Sequence, residues 1–360
     1  MSILFSPLAV GPKTARNRLW VSPMCQYSAI DGMPQEWHHV HLAQFASGGA
    51  GIVMTEATAV SPEGRISPDD TGMWSDAHRD AWAPIVAAVR ARGALAGIQL
   101  AHAGRKASTS SPLNGQRGSV PREHGGWQTV APSAIPFEGL ATPVALDHDG
   151  IDRVVEDFAA AARRAVEVGF DVVEVHAAHG YLLHEFLSPL SNHRDDEYGG
   201  SLENRARLVL RIVSAVRRAA PDLALLVRFS AYDWADGGFT PDETATVATW
   251  AAERGADLFD ISSGGLVAHQ RLKTGPGYQV PFAAHVRRTA GVPVSAVGMI
   301  DDAAQAEAIL EAGDADAIMA GREWLRDPHY ALRASIELGV DIDYWPAQYL
   351  RARPARVRAA

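Results

Sequence analysis

Eight short runs rich in apolar and β-branched residues recur along this chain, and longer stretches of helical periodicity lie between them. The runs are Arg18–Pro23, Gly51–Ala57, Leu95–His102, Val172–His176, Leu223–Ser230, Leu258–Ser263, Val292–Gly298 and Ala315–Gly321. The helical stretches include Asp76–Arg92, Ile151–Val168, Leu202–Ala219, Pro241–Arg254 and Asp301–Glu311. Several open on Asp or a Thr-Pro pair and close on Gly93, Gly169, Gly255 or Gly313, as helix starts and stops do. Strands that are apolar throughout need cover on both faces, and parallel strands need a crossover between them. The alternation therefore predicts an α/β fold, a (β/α)8 TIM barrel, in one domain spanning residues 1–360. An open doubly wound sheet is the structural rival, but its nucleotide fingerprints, G-x-G-x-x-G after the first strand and G-x-x-x-x-G-K-[ST], are missing.

Residues 103–150 break the rhythm. This stretch is rich in Gly, Pro, Ser and His and falls between the third strand and its helix. In a barrel that position lies over the C-terminal mouth, so the segment is expected to cap the site.

Composition narrows the function classes. Lys and Arg number 33 against 42 Asp and Glu, a net charge of -9, which opposes the phosphate-neutralising surface that nucleic-acid binding requires. Cys25 is the only cysteine, so no intrachain disulfide can form. The N-terminal apolar run is too short for a signal-peptide core, and no stretch is long and apolar enough to span a bilayer. A soluble, cytoplasmic protein acting on a small molecule is expected.

Barrel active sites form where strands end and the following loops begin. The first strand delivers Ser22-Pro23-Met24-Cys25-Gln26-Tyr27 there, the third Gln99 and His102, and the fourth His176-Ala177-Ala178-His179-Gly180-Tyr181. The fifth delivers Arg228, the sixth Ser262-Ser263-Gly264-Gly265, the seventh Gly298 and the eighth Gly321-Arg322. Phosphate needs backbone N–H groups unobstructed by side chains, which glycines after strands seven and eight allow, and Arg322 adds a bidentate charge. His176 and His179, three apart at a turn expected to become helical, would share a face. They could hold a carbonyl oxygen or, with His184 or Glu185, a metal. Tyr181 stays protonated at neutral pH and can act as a general acid. Arg228 leaves an apolar strand and needs either an electron-rich ligand or a barrel carboxylate. The cluster Trp37-His38-His39-Val40-His41 is not read as a metal site, because adjacent histidines on a helix diverge.

Together these stretches resemble the Old Yellow Enzyme family, in particular its thermophilic-like bacterial branch. The likeness runs from about Phe5 to Arg351 and is most specific in 22–27, 48–65, 99–106, 176–189, 198–205, 277–280 and 321–328. It implies FMN at the barrel mouth, with Ser22, Pro23, Met24 and Cys25 along the isoalloxazine and the Ala57 backbone near it. Gln99 and Arg228 would bind the pyrimidine edge, and Gly298, Gly321 and Arg322 the phosphate. His176 and His179 would hold the substrate carbonyl, Tyr181 would protonate the α-carbon, and Tyr27 would line the pocket. The implied activity is an NADPH dehydrogenase that reduces activated C=C bonds of unsaturated carbonyls, passing hydride through FMN N5 in a ping-pong cycle. No metal is expected. Two rivals are a metal-dependent hydrolase or lyase using His176 and His179, and a non-catalytic flavin-binding sensor. The basic end of the chain carries Arg351, Arg353, Arg356 and Arg358 after the aromatics Tyr344, Trp345 and Tyr349. Aromatics and arginine are enriched at interfaces, and the segment resembles one that places an arginine, here Arg351, in a neighbouring subunit's site. A homodimer or homotetramer with shared active sites is thus expected. Arg353 departs from the family pattern by standing where an aromatic often follows.

Overall fold

The computed structural model describes residues 2–115 and 117–354; Arg356 and Arg358 lie outside the described residues. All eight expected strands form, as β1 (Leu19–Val21), β2 (Ile52–Ala59), β3 (Leu95–Ala101), β4 (Val172–Ala177), β5 (Ala224–Ser230), β6 (Leu258–Ser262), β7 (Val294–Ala296) and β8 (Ala317–Ala320). They close into one barrel in sequence order, every pairing parallel, with β8 returning to β1. Strands β1, β7 and β8 are shorter than the apolar runs that contain them. The helices α1 (Glu36–Ser47), α2 (Asp76–Arg90), α3 (His148–Val168), α4 (Leu202–Ala219), α5 (Pro241–Ala252), α6 (Val280–Ala290), α7 (Ala303–Glu311) and α8 (Tyr330–Glu337) alternate with the strands. Their starts follow the expected chemistry: Ser201 caps α4, and Thr240 with Glu243 forms a reciprocal capping box on α5.

Strand side chains alternate between two environments. One set, including Leu19, Val53, Val173, Leu225 and Phe259, packs between the strands and the helices. The other set, Trp20, Ile52, Met54, Val172, Leu226, Leu258 and Met319, fills the barrel interior, joined by Val10 and Ala15. Those last two belong to the antiparallel pair Leu8–Val10 and Lys13–Ala15 that precedes β1, so the hairpin plugs the end where the strands begin. Moving two residues onward along the inward rows reaches polar groups: Val172 is followed by Glu174 and His176, Leu226 by Arg228, and Leu258 by Asp260 and Ser262. All are buried. The period of two that builds an apolar floor thus aims the polar positions into the mouth.

Between β3 and α3 the described residues carry short 3-10 turns and one two-residue strand pair, Val130–Ala131 with Val144–Ala145. Tyr344 docks on the floor side: its Oη accepts a hydrogen bond from Asn17 Nδ2 at 2.9 Å, and the Arg16 guanidinium lies 4.5 Å from its ring. Arg353 forms an ion pair with Asp341. Among the described residues no helix is long and apolar enough to cross a membrane.

Candidate active site

Three interior residues form one row at the mouth, where register aligns His176 with Arg228 and Arg228 with Asp260. Arg228 Nε lies 2.9 Å from Asp260 Oδ2, both side chains buried, so the barrel carboxylate required by an arginine in an apolar strand is Asp260. Beside them Gln99 Nε2 donates to Glu174 Oε1 at 2.6 Å. Burial, with Asp260 second, pushes the Glu174 carboxyl up to about 8, while Arg228 and Gln99 oppose the shift. One cation therefore stands among two carboxyls that resist ionising together. Sequence reasoning missed Glu174 and Asp260, although each is a lone acid inside an apolar run.

His176 and His179 come together with ring centroids 5.2 Å apart, but not by sharing a helical face. His176 is still in β4. His179 takes a left-handed turn at φ 61, and the short helix Leu182–Leu187 begins only after Tyr181. The turn is held by close backbone approach: a Cβ on Gly180, at φ +73, would lie 2.3 Å from Gly265 O. Gly180 N–H donates to His184 Nδ1 at 2.9 Å, and His184 Nε2 lies 2.8 Å from the buried Asp233 carboxylate. His184 is thereby turned away from the pair. Among the described residues no third Cys, His or carboxylate joins His176 and His179 at metal-ligand spacing, so the pair lacks the donor set that the metal-dependent rival needs.

Burial first, then the Arg228 charge, holds both imidazoles well below the usual histidine range, so they are neutral at neutral pH. His176 Nδ1 accepts from Ala178 N–H at 3.3 Å, which places its proton on Nε2. His179 Nε2 meets Ser262 Oγ at 2.8 Å. Tyr181 stacks edge-on to His176 at 5.0 Å, and burial pushes its phenol pKa further up, so it remains a proton donor. Lys106 Nζ donates to His179 O at 2.8 Å and to Gly265 O, tying the two loops together, and lies 5.7 Å from the Tyr181 ring.

The residues after β1 form the other wall. Ser22 is buried and its N–H bonds Ala320 O at 2.9 Å; Pro23, Met24, Cys25 and Tyr27 are half-buried. Burial, then Asp70 and Glu56, raises the Cys25 pKa, so Cys25 stays a thiol facing the Ala57 backbone and the Tyr27 hydroxyl. Ala57 follows the register shift in β2. Cys25, Glu56 and Asp70 bring ligand-capable atoms within 4.8 Å of one another, a grouping the sequence did not suggest. Glu56 also binds His38 Nε2 at 2.9 Å and Gln26 N–H at 3.0 Å. The Trp37–His41 histidines do diverge: His38 turns to Glu56 and braces the end of β1, whereas His41 packs edge-on to Phe45.

Past β7 and β8 the backbone carries no side chain at two positions. A Cβ on Gly298, at φ +121, would fall 2.7 Å from Gln279 Nε2 and 3.0 Å from Tyr278 Cε1, while one on Gly321 would meet only Met24, with Sδ at 3.4 Å. Arg322 is exposed and has no ion pair among the described residues, and its charge is felt by Tyr278 beside Gly298. The open backbone at Gly321 with an unpartnered guanidinium beside it fits the phosphate of a nucleotide cofactor. Arg351, by contrast, is exposed on the 3-10 turn Ala347–Ala352.

A closed parallel barrel whose mouth joins two glycine turns and an unpaired guanidinium to neutral imidazoles and a phenol has the layout of a barrel oxidoreductase. Comparison with known proteins gives the family. Residues 3–340 match the NADH:flavin oxidoreductase / NADH oxidase family. The NADPH dehydrogenase of Bacillus subtilis (strain 168) is 46% identical over 351 residues, covering 97% of this chain and 98% of the relative. That of Geobacillus thermodenitrificans (strain NG80-2) is 46% identical over 353 residues, covering 97% and 98%. Morphinone reductase superposes with a TM-score of 0.79 at 30% identity, over 95% of this chain and 91% of its own. The old yellow enzyme homologue from Zymomonas mobilis gives 0.76 at 29% identity, over 98% and 99%. The chain belongs to this flavin oxidoreductase family, the Old Yellow Enzymes, and is an FMN-dependent oxidoreductase.

Proposed function

We propose that the protein is an NADPH-dependent ene-reductase that reduces the activated C=C bond of unsaturated carbonyl compounds. The observation that carries the reading is the neutral His176, its Nε2 proton taken by no described residue, edge-on to a protonated Tyr181 at 5.0 Å. When bound, FMN would supply two-electron chemistry, coupling oxidation of NADPH to reduction of the substrate's C=C bond in a ping-pong cycle. The chain's residues do the rest. Ser22, Pro23, Met24, Cys25 and the Ala57 backbone would flank the FMN ring system, Gln99 and Arg228 would bind its pyrimidine edge, and Gly298, Gly321 and Arg322 would hold its phosphate. His176 donates to the carbonyl oxygen, where negative charge develops, and His179 joins by exchanging Ser262 for that oxygen. Tyr181 gives the α-carbon its proton, and Tyr27 lines the pocket. The 103–150 segment caps the mouth: Arg105 Nη2 bonds Leu266 O at 2.7 Å, and Lys106 reaches the 179 and 265 backbones. Arg351 completes the site of a second subunit, since its own arm is anchored on the barrel floor through Tyr344.

Tyr181→Phe tests the assignment. Flavin reduction by NADPH is expected to stay near wild type while reoxidation by an enone slows roughly 10²-fold, the scale of general acid catalysis. Loss confined to the reductive half-reaction would refute the acid role.

A further inference from the structure

The loops after β5 and β6 enclose a second cleft of about 550 Å³, lined by Tyr232, Trp234, Asp236, His269, Arg271 and Lys273. Two features set it apart. It is cationic in a chain of net charge -9, and its cations are unengaged. Of the three lysines, Lys13 pairs with Asp171 and Lys106 is held by backbone carbonyls, whereas Lys273 is exposed with no partner among the described residues. Arg271 is likewise exposed without an ion pair among them, though many arginines here are bound to carboxylates or carbonyls. Asp236 is the one acid in the lining.

The cations sit on a fixed loop. Arg271 N–H donates to Trp234 O at 2.8 Å, and Gln270 Oε1 accepts from Gly265 N–H at 2.7 Å. Trp234 itself has φ 57, a left-handed conformation rare for a bulky residue, which marks a place where side-chain position outweighs backbone comfort. Its ring is packed by Tyr232 at 5.2 Å and Phe282 at 5.6 Å. The cleft also adjoins the active site. Trp234 Nε1 donates to Ser263 Oγ at 3.0 Å, Ser263 and Ser262 both donate to Gln279 Oε1, and Ser262 Oγ meets His179 Nε2. A ligand held at His179 and long enough to cross that chain of hydrogen bonds would lay its far end in the cleft.

Aromatic surface beside two free cations suits a planar heterocycle carrying an anion. We propose that this cleft receives the adenosine 2′-phosphate end of NADPH, with Arg271 and Lys273 binding the phosphate and Tyr232 and Trp234 facing the adenine. The proposal rests on NADPH being the hydride donor and adds how the enzyme distinguishes it from NADH. In an acidic protein a local basic patch also steers the dianion to this side of the mouth.

The test uses the FMN-loaded, full-length protein and the variants Arg271→Ala/Lys273→Ala and Arg271→Glu. Calorimetric titration with 2′,5′-ADP and with 5′-AMP reads binding without turnover, and anaerobic stopped-flow mixing with NADPH or NADH reads flavin reduction. The double variant is expected to lose on the order of tenfold affinity for 2′,5′-ADP per cation, as removal of a hydrogen bond to a charged group does. Arg271→Glu should lose more, while 5′-AMP binding and reduction by NADH stay within about twofold in both, since neither ligand carries the 2′-phosphate. Unchanged 2′,5′-ADP binding, or equal losses for NADPH and NADH, would overturn the assignment. A wild-type enzyme reduced by both nicotinamides with equal efficiency would also overturn it. Failure of NADPH to reduce the wild type at all is a separate result, and it removes the hydride-donor reading beneath the proposal.

Discussion

Gly180→Ala probes whether backbone contact between the 179–181 and 264–266 loops sets the substrate site. The added methyl would meet Gly265 O at 2.3 Å and Leu266 Cα at 2.9 Å, both backbone atoms that no rotamer change can move aside. Holding alanine at φ +73 costs about 1–2 kcal/mol, and forcing a methyl into a filled space adds roughly 1–3 kcal/mol. An unfolding entropy of ~2.1 cal/mol/K per residue over 360 residues equates one degree of Tm with roughly 0.8 kcal/mol. A loss of about 2–5 kcal/mol then lowers Tm by roughly 3–7 °C. Gly291→Ala is the control. It has φ +67 and nothing within 4 Å of the added Cβ, so it carries only the left-handed cost and should lower Tm by roughly 1–3 °C. Separating the loops also breaks the Gly180 N–H contact to His184 and the Lys106 bridge, so Gly180→Ala should weaken enone or phenol binding on the order of tenfold, read from flavin absorbance. Gly291→Ala should leave binding unchanged. Wild-type ligand affinity in Gly180→Ala, or equal damage from both substitutions, would refute the reasoning.

Arg322→Ala is expected to lower the FMN retained per chain after dialysis, because it removes the unpartnered cation beside the bare turns at Gly298 and Gly321; unchanged occupancy would sink the phosphate assignment. Arg351→Ala should weaken enone binding without altering FMN content or assembly, and a strictly monomeric wild-type protein in light scattering would contradict the shared site.

The barrel was legible because its signal is local. An apolar run followed by a capped amphipathic stretch identifies its own strand and helix, and a strand formed at each of the eight runs. Boundaries were less legible: β7 is limited to Val294–Ala296, because an apolar residue such as Val292 or Val297 serves a loop packed on the barrel as well as it serves a strand. The site residues were legible by type and position, since a polar side chain at the end of an apolar strand has few other reasons to be there. Their partners were not. Arg228 required an anion on grounds of burial alone, but which anion depends on the register between β5 and β6, a long-range quantity that sets Arg228 opposite Asp260. The histidine pair divides the same way. His176 and His179 do meet, yet helical spacing gives the wrong reason, because the left-handed turn at His179 is held by the Gly265 backbone and Lys106, both distant in sequence. Chemistry-bearing residue types can therefore be read one strand at a time, whereas the protonation state and direction of each side chain belong to the closed barrel. His176 illustrates it: burial at the mouth, then the Arg228 charge from the neighbouring strand with His184 and Lys106 behind it, holds its imidazole well below the usual histidine range and keeps it a neutral donor.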